Sequence, residues 1–210
     1  MRGAIFDIDG TILNSMTMWI DVTTKFLSDF DVYLTPRQCE IFQTMTLEES
    51  LPMIRDKYDI KMSEEEIRGE FKRLVTDEYK TTVQAKPYAA EYVKKLYADG
   101  VKIAVATSGY EDLWRPAFER FGIDGCVSAA AYSAEVGVNK SNPDVYLLAA
   151  KRIDVEPSDC VVFEDIVPGI NGAKKGGFKT CAVWDSSNEN QTAELKRDAD
   201  RYIKSFKELM

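Results

Sequence analysis

Residues 3–11 read Gly3-Ala4-Ile5-Phe6-Asp7-Ile8-Asp9-Gly10-Thr11, and this stretch decides how the rest of the chain is interpreted. Its apolar first part, from Gly3 to Asp7, is typical of a short buried strand, and Gly10 supplies a turn after it. Two carboxylates, Asp7 and Asp9, stand one residue apart where this strand ends. Because like charges so close together repel each other, a cation, a shared proton or water must compensate them.

The second half of the chain alternates strand patterns with helix patterns. We expect strands at 101–106, 160–163, 179–183 and 201–203, with a weak one at 126–127. The helices are expected at 88–98, 112–121, 143–152 and 168–175, and 186–192 is expected to be a polar loop. Such alternation predicts a parallel sheet with helices on both faces, which the first strand joins. The predicted fold class is therefore α/β, a three-layer Rossmann-like parallel sheet.

Residues 16–82 interrupt this pattern with four helix patterns and no convincing strand. Helix starts are indicated by Thr35-Pro36 and by the capping-box pairs Thr46/Glu49 and Ser63/Glu66. The first helix carries an apolar stripe at intervals of four residues, formed by Met18, Val22, Phe26 and Phe30. We therefore predict a catalytic core of residues 1–15 and 83–210 with an inserted α-helical cap at 16–82.

Composition excludes several classes of function. The 210 residues carry a net charge of −8, which argues against nucleic acid or an anionic membrane as the main partner. The chain has no histidine, which removes Ser-His-Asp and Cys-His chemistry and any His-ligated zinc site. Four cysteines without CxxC spacing, no signal pattern and no membrane-length apolar run predict a cytoplasmic protein. We expect it to be a monomer.

Polar residues stand where the predicted strands end, which is where ligands bind in open parallel sheets. They are Asp7 and Asp9 after the first strand, Thr107-Ser108-Gly109 after the next, Lys140 ahead of a helix, and Glu164-Asp165 after 160–163. Carboxylate oxygens suit a hard cation such as Mg²⁺, whereas hydroxyls, amides and a lysine suit a phosphate. One carboxylate of the first pair can then be a nucleophile and the other a general acid and base.

Each of these motifs alone also has an ordinary structural explanation. An Asp-x-Asp sequence is commonly a solvated turn, and Thr-Ser-Gly after a strand is commonly a helix cap. Lys140 alone could be a surface charge, and Glu164-Asp165 could complement a helix dipole. Their coincidence at the ends of strands in one predicted sheet is what indicates a site.

With these residues the chain resembles the haloacid dehalogenase superfamily of phosphohydrolases. The motifs of that superfamily stand here as Asp7-Ile8-Asp9-Gly10-Thr11, Thr107-Ser108-Gly109, Lys140-Ser141-Asn142-Pro143-Asp144, and Glu164-Asp165 followed by Gly169, Ala173 and Gly177. The resemblance covers the whole chain and extends to the helical-cap subfamily of phosphoglycolate phosphatases and β-phosphoglucomutase. It implies that the insert is a cap that closes over the site and selects substrates.

The resemblance also implies a role for each motif residue. Asp7 would be the nucleophile and a Mg²⁺ ligand, and Asp9 the general acid and base whose backbone carbonyl touches the metal. Thr107 and Lys140 would hold the phosphoryl group, alongside Ser108 and Gly109. Asp165 would bind Mg²⁺ directly, with Glu164 beside it or acting through water. The partner would be a small phosphorylated metabolite such as a sugar phosphate, phosphoglycolate or a nucleoside monophosphate.

Departures from the family pattern bear on the function. Asn14 replaces a common Asp, and Ser141 a common proline after the lysine. The acidic pair Glu164-Asp165 favours phosphoryl transfer over dehalogenation, which needs no metal. A mutase remains an alternative, although its cap arginine has no evident counterpart in 44–50 and its histidine is absent.

Two further alternatives to a phosphatase are a signalling switch and a non-catalytic relative. A phospho-acceptor signalling switch uses similar residues but lacks the helical insert and the second acidic pair. A non-catalytic relative would not be expected to keep the complete motif set. Contacts between substrate and Met16, Trp19, Thr44, Met45 or Lys80 are open possibilities.

Overall fold

The computed structural model describes residues 1–43, 45, 47–109 and 113–210. The predictions that involve Thr44, Thr46 and Asp112 lie outside the described residues.

The strands are β1 (Gly3–Phe6), β2 (Leu13–Asn14), β3 (Gln84–Ala85), β4 (Lys102–Thr107), β5 (Ala129–Tyr132), β6 (Cys160–Glu164), β7 (Lys179–Val183) and β8 (Arg201–Ile203). The helices are α1 (Met16–Ser28), α2 (Pro36–Gln43), α3 (Leu47–Lys57), α4 (Glu64–Thr81), α5 (Ala89–Ala98), α6 (Arg115–Phe121), α7 (Ser133–Val136), α8 (Asp144–Arg152), α9 (Val167–Lys175) and α10 (Thr192–Asp198). Short 3₁₀-helices cover Asp124–Cys126, Pro157–Asp159, Ser186–Gln191 and Phe206–Leu209.

Six strands of the described chain form one sheet in the order β5-β4-β1-β6-β7-β8, and all neighbouring strands are parallel. β1 lies between β4 and β6, with Phe6 level with Val105 on one side and Phe163 on the other. The chain therefore builds outward from β1 in one direction and then in the other. This reversal brings the ends of β4 and β6 to either side of the residue after β1, which is Asp7.

Helices cover both faces of the sheet, as the alternation of side chains along a strand requires. Ile5 belongs to an apolar cluster with Val145, Tyr146 and Ala149 of α8. The next residue, Phe6, points the other way and stacks on Phe163 with 4.4 Å between ring centroids. On that second face the rings of Phe163 and Tyr92 of α5 are 5.9 Å apart. The predicted three-layer α/β class is confirmed.

One predicted strand is wrong. The chain at Asp124–Cys126 forms a 3₁₀-helix, and the edge strand lies further on, at Ala129–Tyr132. Three alanines give this segment a low intrinsic β-propensity. The strand forms because the segment pairs with β4. The helix α6 begins at Arg115, and Gly122 ends it in the left-handed region at φ 65°.

The described chain divides into two compact units, Met1–Asn14 with Gln84–Met210, and Ser15–Val83. In the second unit the capping box at Ser63 and Glu66 is present as predicted. Met18, Val22 and Phe26 are buried along α1, whereas Phe30 lies beyond the helix end and is 39% exposed. The role of this unit as a cap stays a prediction.

Two further observations concern the whole described chain. No helix among the described residues combines the length and the apolar character needed to cross a membrane. All four cysteines are free; Cys126, Cys160 and Cys181 are buried, and Cys39 is partly exposed.

Candidate active site

A tight turn follows β1 and sets the direction of the first acidic pair. The carbonyl oxygen of Ile8 accepts hydrogen bonds from the backbone N–H groups of Ile12 at 3.0 Å and Leu13 at 2.9 Å. Gly10 lies in the left-handed region at φ 83°, which a residue with a side chain adopts only with strain. This turn explains why glycine follows the second aspartate, and it brings Thr11 back over the end of β1.

Asp7 is buried at the centre of the site and both of its carboxylate oxygens are occupied. Oδ1 accepts a hydrogen bond from Lys140 Nζ, and Oδ2 accepts one from Thr11 Oγ1 at 3.0 Å. The backbone N–H of Asp7 donates to the carbonyl of Phe163 at 2.9 Å, so the sheet itself holds the residue. The carboxylate is thus oriented from two sides and paired with a cation.

Lys140 joins two of the acidic motifs. Its ammonium donates to Glu164 Oε1 at 2.6 Å as well as to Asp7, and its side chain is buried. Burial alone would lower the pKa of Lys140, but the carboxylates of Asp7 and Glu164 outweigh it and hold this pKa above its ordinary value. The lysine therefore stays charged. Its burial excludes the alternative that Lys140 is a surface charge.

Glu164 is fully buried at the end of β6. Besides Lys140, the hydroxyl of Tyr146 donates to Glu164 Oε1 at 2.9 Å, and Oε2 accepts from the backbone N–H of Asp165 at 3.2 Å. Burial raises the pKa of Glu164 above its ordinary value even though Lys140 opposes the rise. Burial and the nearby Glu164 likewise raise the pKa of Tyr146 well above its ordinary value, so its hydroxyl remains a donor.

Asp165 is the second buried carboxylate after β6. Its Oδ1 lies 3.4 Å from Thr11 Oγ1, which shares its single proton with Asp7 Oδ2 at 3.0 Å, and its Oδ2 accepts from Asn188 Nδ2 at 2.6 Å. Burial, reinforced by repulsion from Asp7 and Glu164, raises the pKa of Asp165 well above its ordinary value. The ionised form of this residue consequently needs more positive charge than the surrounding side chains provide.

These three carboxylates fit a metal ion. Asp7, Glu164 and Asp165 each offer an oxygen atom, and the three atoms lie within 4.8 Å of one another. A hard divalent cation prefers this oxygen-only donor set. Within the group formed by these residues and Lys140, three carboxylates face a single ammonium. The excess of buried negative charge is what a divalent cation would neutralise.

Thr107 and Gly109 form a second corner of the site, at the end of β4. Gly109 N–H donates to Thr107 Oγ1 at 2.9 Å. A β-carbon on Gly109 would lie 3.2 Å from Thr107 Oγ1 and 3.8 Å from Asp9 Oδ2. Thr107 and Asp9 thus border the same small volume. Ser108 is exposed, and its hydroxyl lies 3.1 Å from that of Ser133.

Two glycines let α9 approach the site closely. A β-carbon on Gly169 would lie 2.4 Å from Glu164 Cδ, and one on Gly172 would lie 2.0 Å from the carbonyl oxygen of Lys140. Gly177, by contrast, ends the helix in the left-handed region at φ 81°. The glycine spacing after Glu164-Asp165 therefore reflects contact with the carboxylate and the lysine backbone.

The structure brings Asp7, Lys140, Glu164 and Asp165 into one cluster and places Asp9 beside Thr107. Sequence reasoning missed three contributors: Thr11, quoted only as part of a motif, Tyr146 of α8, and Asn188. The prediction of a polar loop at 186–192 was wrong, since Ser186–Gln191 forms 3₁₀ turns with a kink at Asn188, and Asn188 is buried. The one local signal was Asp185 two residues ahead of Ser187, which is typical of a helix cap.

The chain matches a known protein family over most of its length. Residues 4–183 match the family model described as haloacid dehalogenase-like hydrolase. The chain is 30% identical over 203 residues to the bifunctional riboflavin kinase/FMN phosphatase of Arabidopsis thaliana, covering 96% of this chain and 52% of that protein. It therefore spans about half the length of that relative.

Two other proteins match over most of both chains. The phosphorylated carbohydrates phosphatase of Thermotoga maritima is 25% identical over 183 residues, which cover 85% of this chain and 83% of that one. The crystal structure of β-phosphoglucomutase from Clostridium difficile superposes with a TM-score of 0.74 at 19% identity, covering 100% of this chain and 93% of that one. The latter comparison shows a shared fold.

Proposed function

Since the chain belongs to the haloacid dehalogenase-like hydrolase family, we propose that it is a Mg²⁺-dependent phosphatase that hydrolyses a small phosphomonoester through a phosphorylated Asp7. Family membership confirms the resemblance drawn from the four motifs, and the chain is an enzyme of the hydrolase type.

The observation that carries the proposal is the pairing of Asp7 with Lys140 inside a cluster of buried carboxylates. Asp7 Oδ1 contacts the ammonium, and Thr11 holds the other oxygen at 3.0 Å. The carboxylate is thereby oriented and paired with a buried cation, as a nucleophile requires. A surface ion pair would need neither the burial nor the second donor.

The divalent cation would be held by Asp7, Glu164 and Asp165. One carboxylate oxygen of each already lies within 4.8 Å of the others. When bound, such a cation withdraws charge from phosphoryl oxygens and lessens their repulsion by the carboxylates. Asp9 would contribute its backbone carbonyl, as the resemblance implies. Lys140 and Thr107, with the amides of Ser108 and Gly109, would bind the phosphoryl oxygens through hydrogen bonds.

The two aspartates then divide the chemistry. In the first step the Asp7 carboxylate attacks phosphorus, the ester bond breaks, and Asp9 donates a proton to the departing alkoxide oxygen. In the second step Asp9 takes a proton from water, the water oxygen attacks phosphorus, and the bond to Asp7 breaks to release inorganic phosphate. The position of Asp9 near Thr107, across Gly109, is compatible with both proton transfers.

The acidic pair and the relatives favour this reaction over dehalogenation. Two similar proteins are named as phosphatases, one of FMN and one of phosphorylated carbohydrates. The proposed substrate is accordingly a phosphomonoester of a sugar, a small hydroxy acid or a nucleoside. A mutase would need a further group to hold the second phosphate of its bisphosphate intermediate, and the chain contains no histidine for that reaction.

The decisive experiment measures phosphate release from para-nitrophenyl phosphate and from a panel of sugar phosphates, phosphoglycolate and nucleoside monophosphates. Each assay is run with Mg²⁺ and with excess chelator. We expect phosphate release that depends on Mg²⁺. The substitution Asp7→Asn should abolish this release and leave the folding of the protein intact. Turnover retained in Asp7→Asn would refute the assigned nucleophile.

Two other outcomes would replace the proposal rather than refine it. Isomerisation of a hexose 1-phosphate after addition of a bisphosphate activator, without net release of phosphate, would identify a mutase. A stable phosphorylated Asp7 with neither turnover nor isomerisation would identify a signalling switch.

A further inference from the structure

The segment from Asp185 to Gln191, here called the 185–191 segment, is held at its first residue by a buried ion pair between Lys86 and Asp185. Lys86 donates to Asp185 Oδ2 and, at 2.9 Å, to the carbonyl oxygen of Trp184. Asp185 in turn accepts from the backbone N–H of Ser187 at 2.8 Å and thereby begins the 3₁₀-helix. Because Lys86 and Asp185 are both buried, the start of the segment has a defined position in the core unit.

The same segment places Asn188 against Asp165. Asn188 is buried, and its Nδ2 donates to Asp165 Oδ2 at 2.6 Å. Thr11 binds the opposite oxygen, Oδ1, at 3.4 Å. The shorter of the two side-chain hydrogen bonds to this carboxylate thus comes from a residue 23 positions away, in a segment outside every recognised motif.

A backbone group determines which way the amide of Asn188 faces. The N–H of Val167 can only donate, and it donates to Gln191 Oε1 at 3.0 Å. This contact turns Gln191 Nε2 toward Asn188 Oδ1, to which it donates at 3.2 Å. The Asn188 amide is therefore held with its nitrogen toward Asp165, and the alternative orientation would oppose two oxygen atoms.

We propose that Asn188 is a positioning residue for Asp165, held by Gln191, and that this contact sets the affinity of the site for a divalent cation. The inference rests on the proposed metal site. By binding Oδ2, Asn188 restricts rotation of the carboxylate and holds Asp165 in the orientation in which one of its oxygens lies within 4.8 Å of oxygens of Asp7 and Glu164. Partners of this kind, which orient a metal ligand without touching the metal, typically change metal affinity by about 10- to 100-fold when removed.

The test is a calorimetric titration of the metal-free protein with Mg²⁺ alone, without substrate. Asn188→Ala should raise the Kd for Mg²⁺ by about 10-fold or more. Gln191→Glu cannot donate to Asn188 Oδ1 and opposes it with a carboxylate, so it should raise the Kd by a smaller factor. Circular dichroism and thermal unfolding in chelator would report the folding of each variant separately from its affinity.

A matched control lies in the same segment. Ser187→Ala removes the hydroxyl that donates to Asp185 Oδ1 at 2.6 Å but leaves Asn188 and Gln191 in place. The Kd of this variant for Mg²⁺ should stay within about twofold of the wild-type value, since the Ser187 hydroxyl is not part of the hydrogen bonds that join Gln191, Asn188 and Asp165. Asp165→Asn is the reference for loss of the ligand itself.

The outcomes separate the inference from the proposed function. A Kd that is the same in Asn188→Ala, Ser187→Ala and wild type overturns the positioning role and leaves the metal site intact. The proposed metal site, and the inference with it, is overturned if wild type and Asp165→Asn bind Mg²⁺ equally or if neither protein binds it. If Asn188→Ala does not fold, Gln191→Glu decides, and an unchanged Kd in that variant overturns the inference.

Discussion

A β-carbon on Gly172 would lie 2.0 Å from the carbonyl oxygen of Lys140, far inside van der Waals contact. Because that atom is backbone, it cannot move aside as a flexible side chain would. The helix α9 and the lysine that pairs with Asp7 are therefore in direct backbone contact at this glycine. The contact fixes α9, the helix that follows Glu164-Asp165, against the backbone of Lys140.

Gly172→Ala should destabilise the protein by about 3 kcal/mol, since the added methyl group must displace α9 or the chain at Lys140. The matched control is Gly69→Ala in α4, where a β-carbon would meet no atom within 4 Å. That change should stabilise by about 0.5–1 kcal/mol, as alanine is the better helix former. Urea denaturation midpoints of both variants test this contrast. Equal effects of the two substitutions would contradict the close approach.

Tyr146→Phe should destabilise the protein by about 2 kcal/mol, because it removes the hydroxyl that donates to the buried carboxylate of Glu164 at 2.9 Å. Tyr202→Phe is the matched control. The Tyr202 hydroxyl is buried and has no hydrogen-bond partner among the described residues, so its loss should cost almost nothing. Chemical denaturation in chelator would measure both changes, and a larger loss from Tyr202→Phe than from Tyr146→Phe would be incompatible with the proposed hydrogen bond.

The Lys86–Asp185 pair should make stability depend on acid pH. Burial would raise the pKa of Asp185, but hydrogen bonds from Lys86 and Ser187 outweigh it and lower this pKa. The stabilising contribution is therefore complete above the pKa of an unfolded aspartate, about 3.9, and is lost as the pH falls below that value through the lowered folded pKa.

Asp185→Asn isolates this contribution. It leaves the buried Lys86 ammonium unpaired and should cost about 3 kcal/mol near neutral pH. Unfolding free energies measured from pH 7 down to pH 3 should show the difference between wild type and variant shrinking only below about pH 4. The double variant Lys86→Met/Asp185→Asn should recover part of the loss, because it buries no unpaired charge. A difference that stays constant at all pH values would argue against the ion pair.

Mg²⁺ should stabilise the folded protein through the carboxylates of Asp7, Glu164 and Asp165. At a concentration about 100 times Kd, a ligand that binds only the folded state adds about 2.7 kcal/mol. For a chain of this length the corresponding rise in Tm is roughly 5–10 °C. Thermal unfolding with MgCl₂, compared with NaCl of equal ionic strength, measures it. Asp165→Asn should lose most of the rise, and an equal rise in this variant would place the cation elsewhere.

Local features of the chain were predictable because their causes are local. Three such features are the end of β1 just before Asp7, the capping box at Ser63 and Glu66, and the helix end at Gly122. Each depends on residues within a few positions of one another. The alternation of helices and strands then indicated a parallel sheet, and polar residues at strand ends indicated where a ligand would bind. The α/β fold class followed from this information, and the four motifs added the resemblance to the haloacid dehalogenase superfamily.

Contacts between distant residues were not predictable in the same way. The edge strand at Ala129–Tyr132 exists because β4 offers it a pairing surface, against the preference of its own alanines. Tyr146 and Glu164 meet across 18 positions, and Asn188 and Asp165 across 23. No periodicity or spacing rule connects these pairs, so the sequence pattern of 186–192 indicates only a polar loop.

The sequence by itself determined the chemistry at each strand end: which residues carry carboxylates, hydroxyls and an ammonium group, and that glycine is needed after Asp9. Only the tertiary structure decided which of these groups share a buried volume and which donors orient them. The physical reason is that the strand order puts β1 between β4 and β6, so groups far apart in the chain desolvate one another. Their charges, hydrogen bonds and shifted pKa values arise from that proximity.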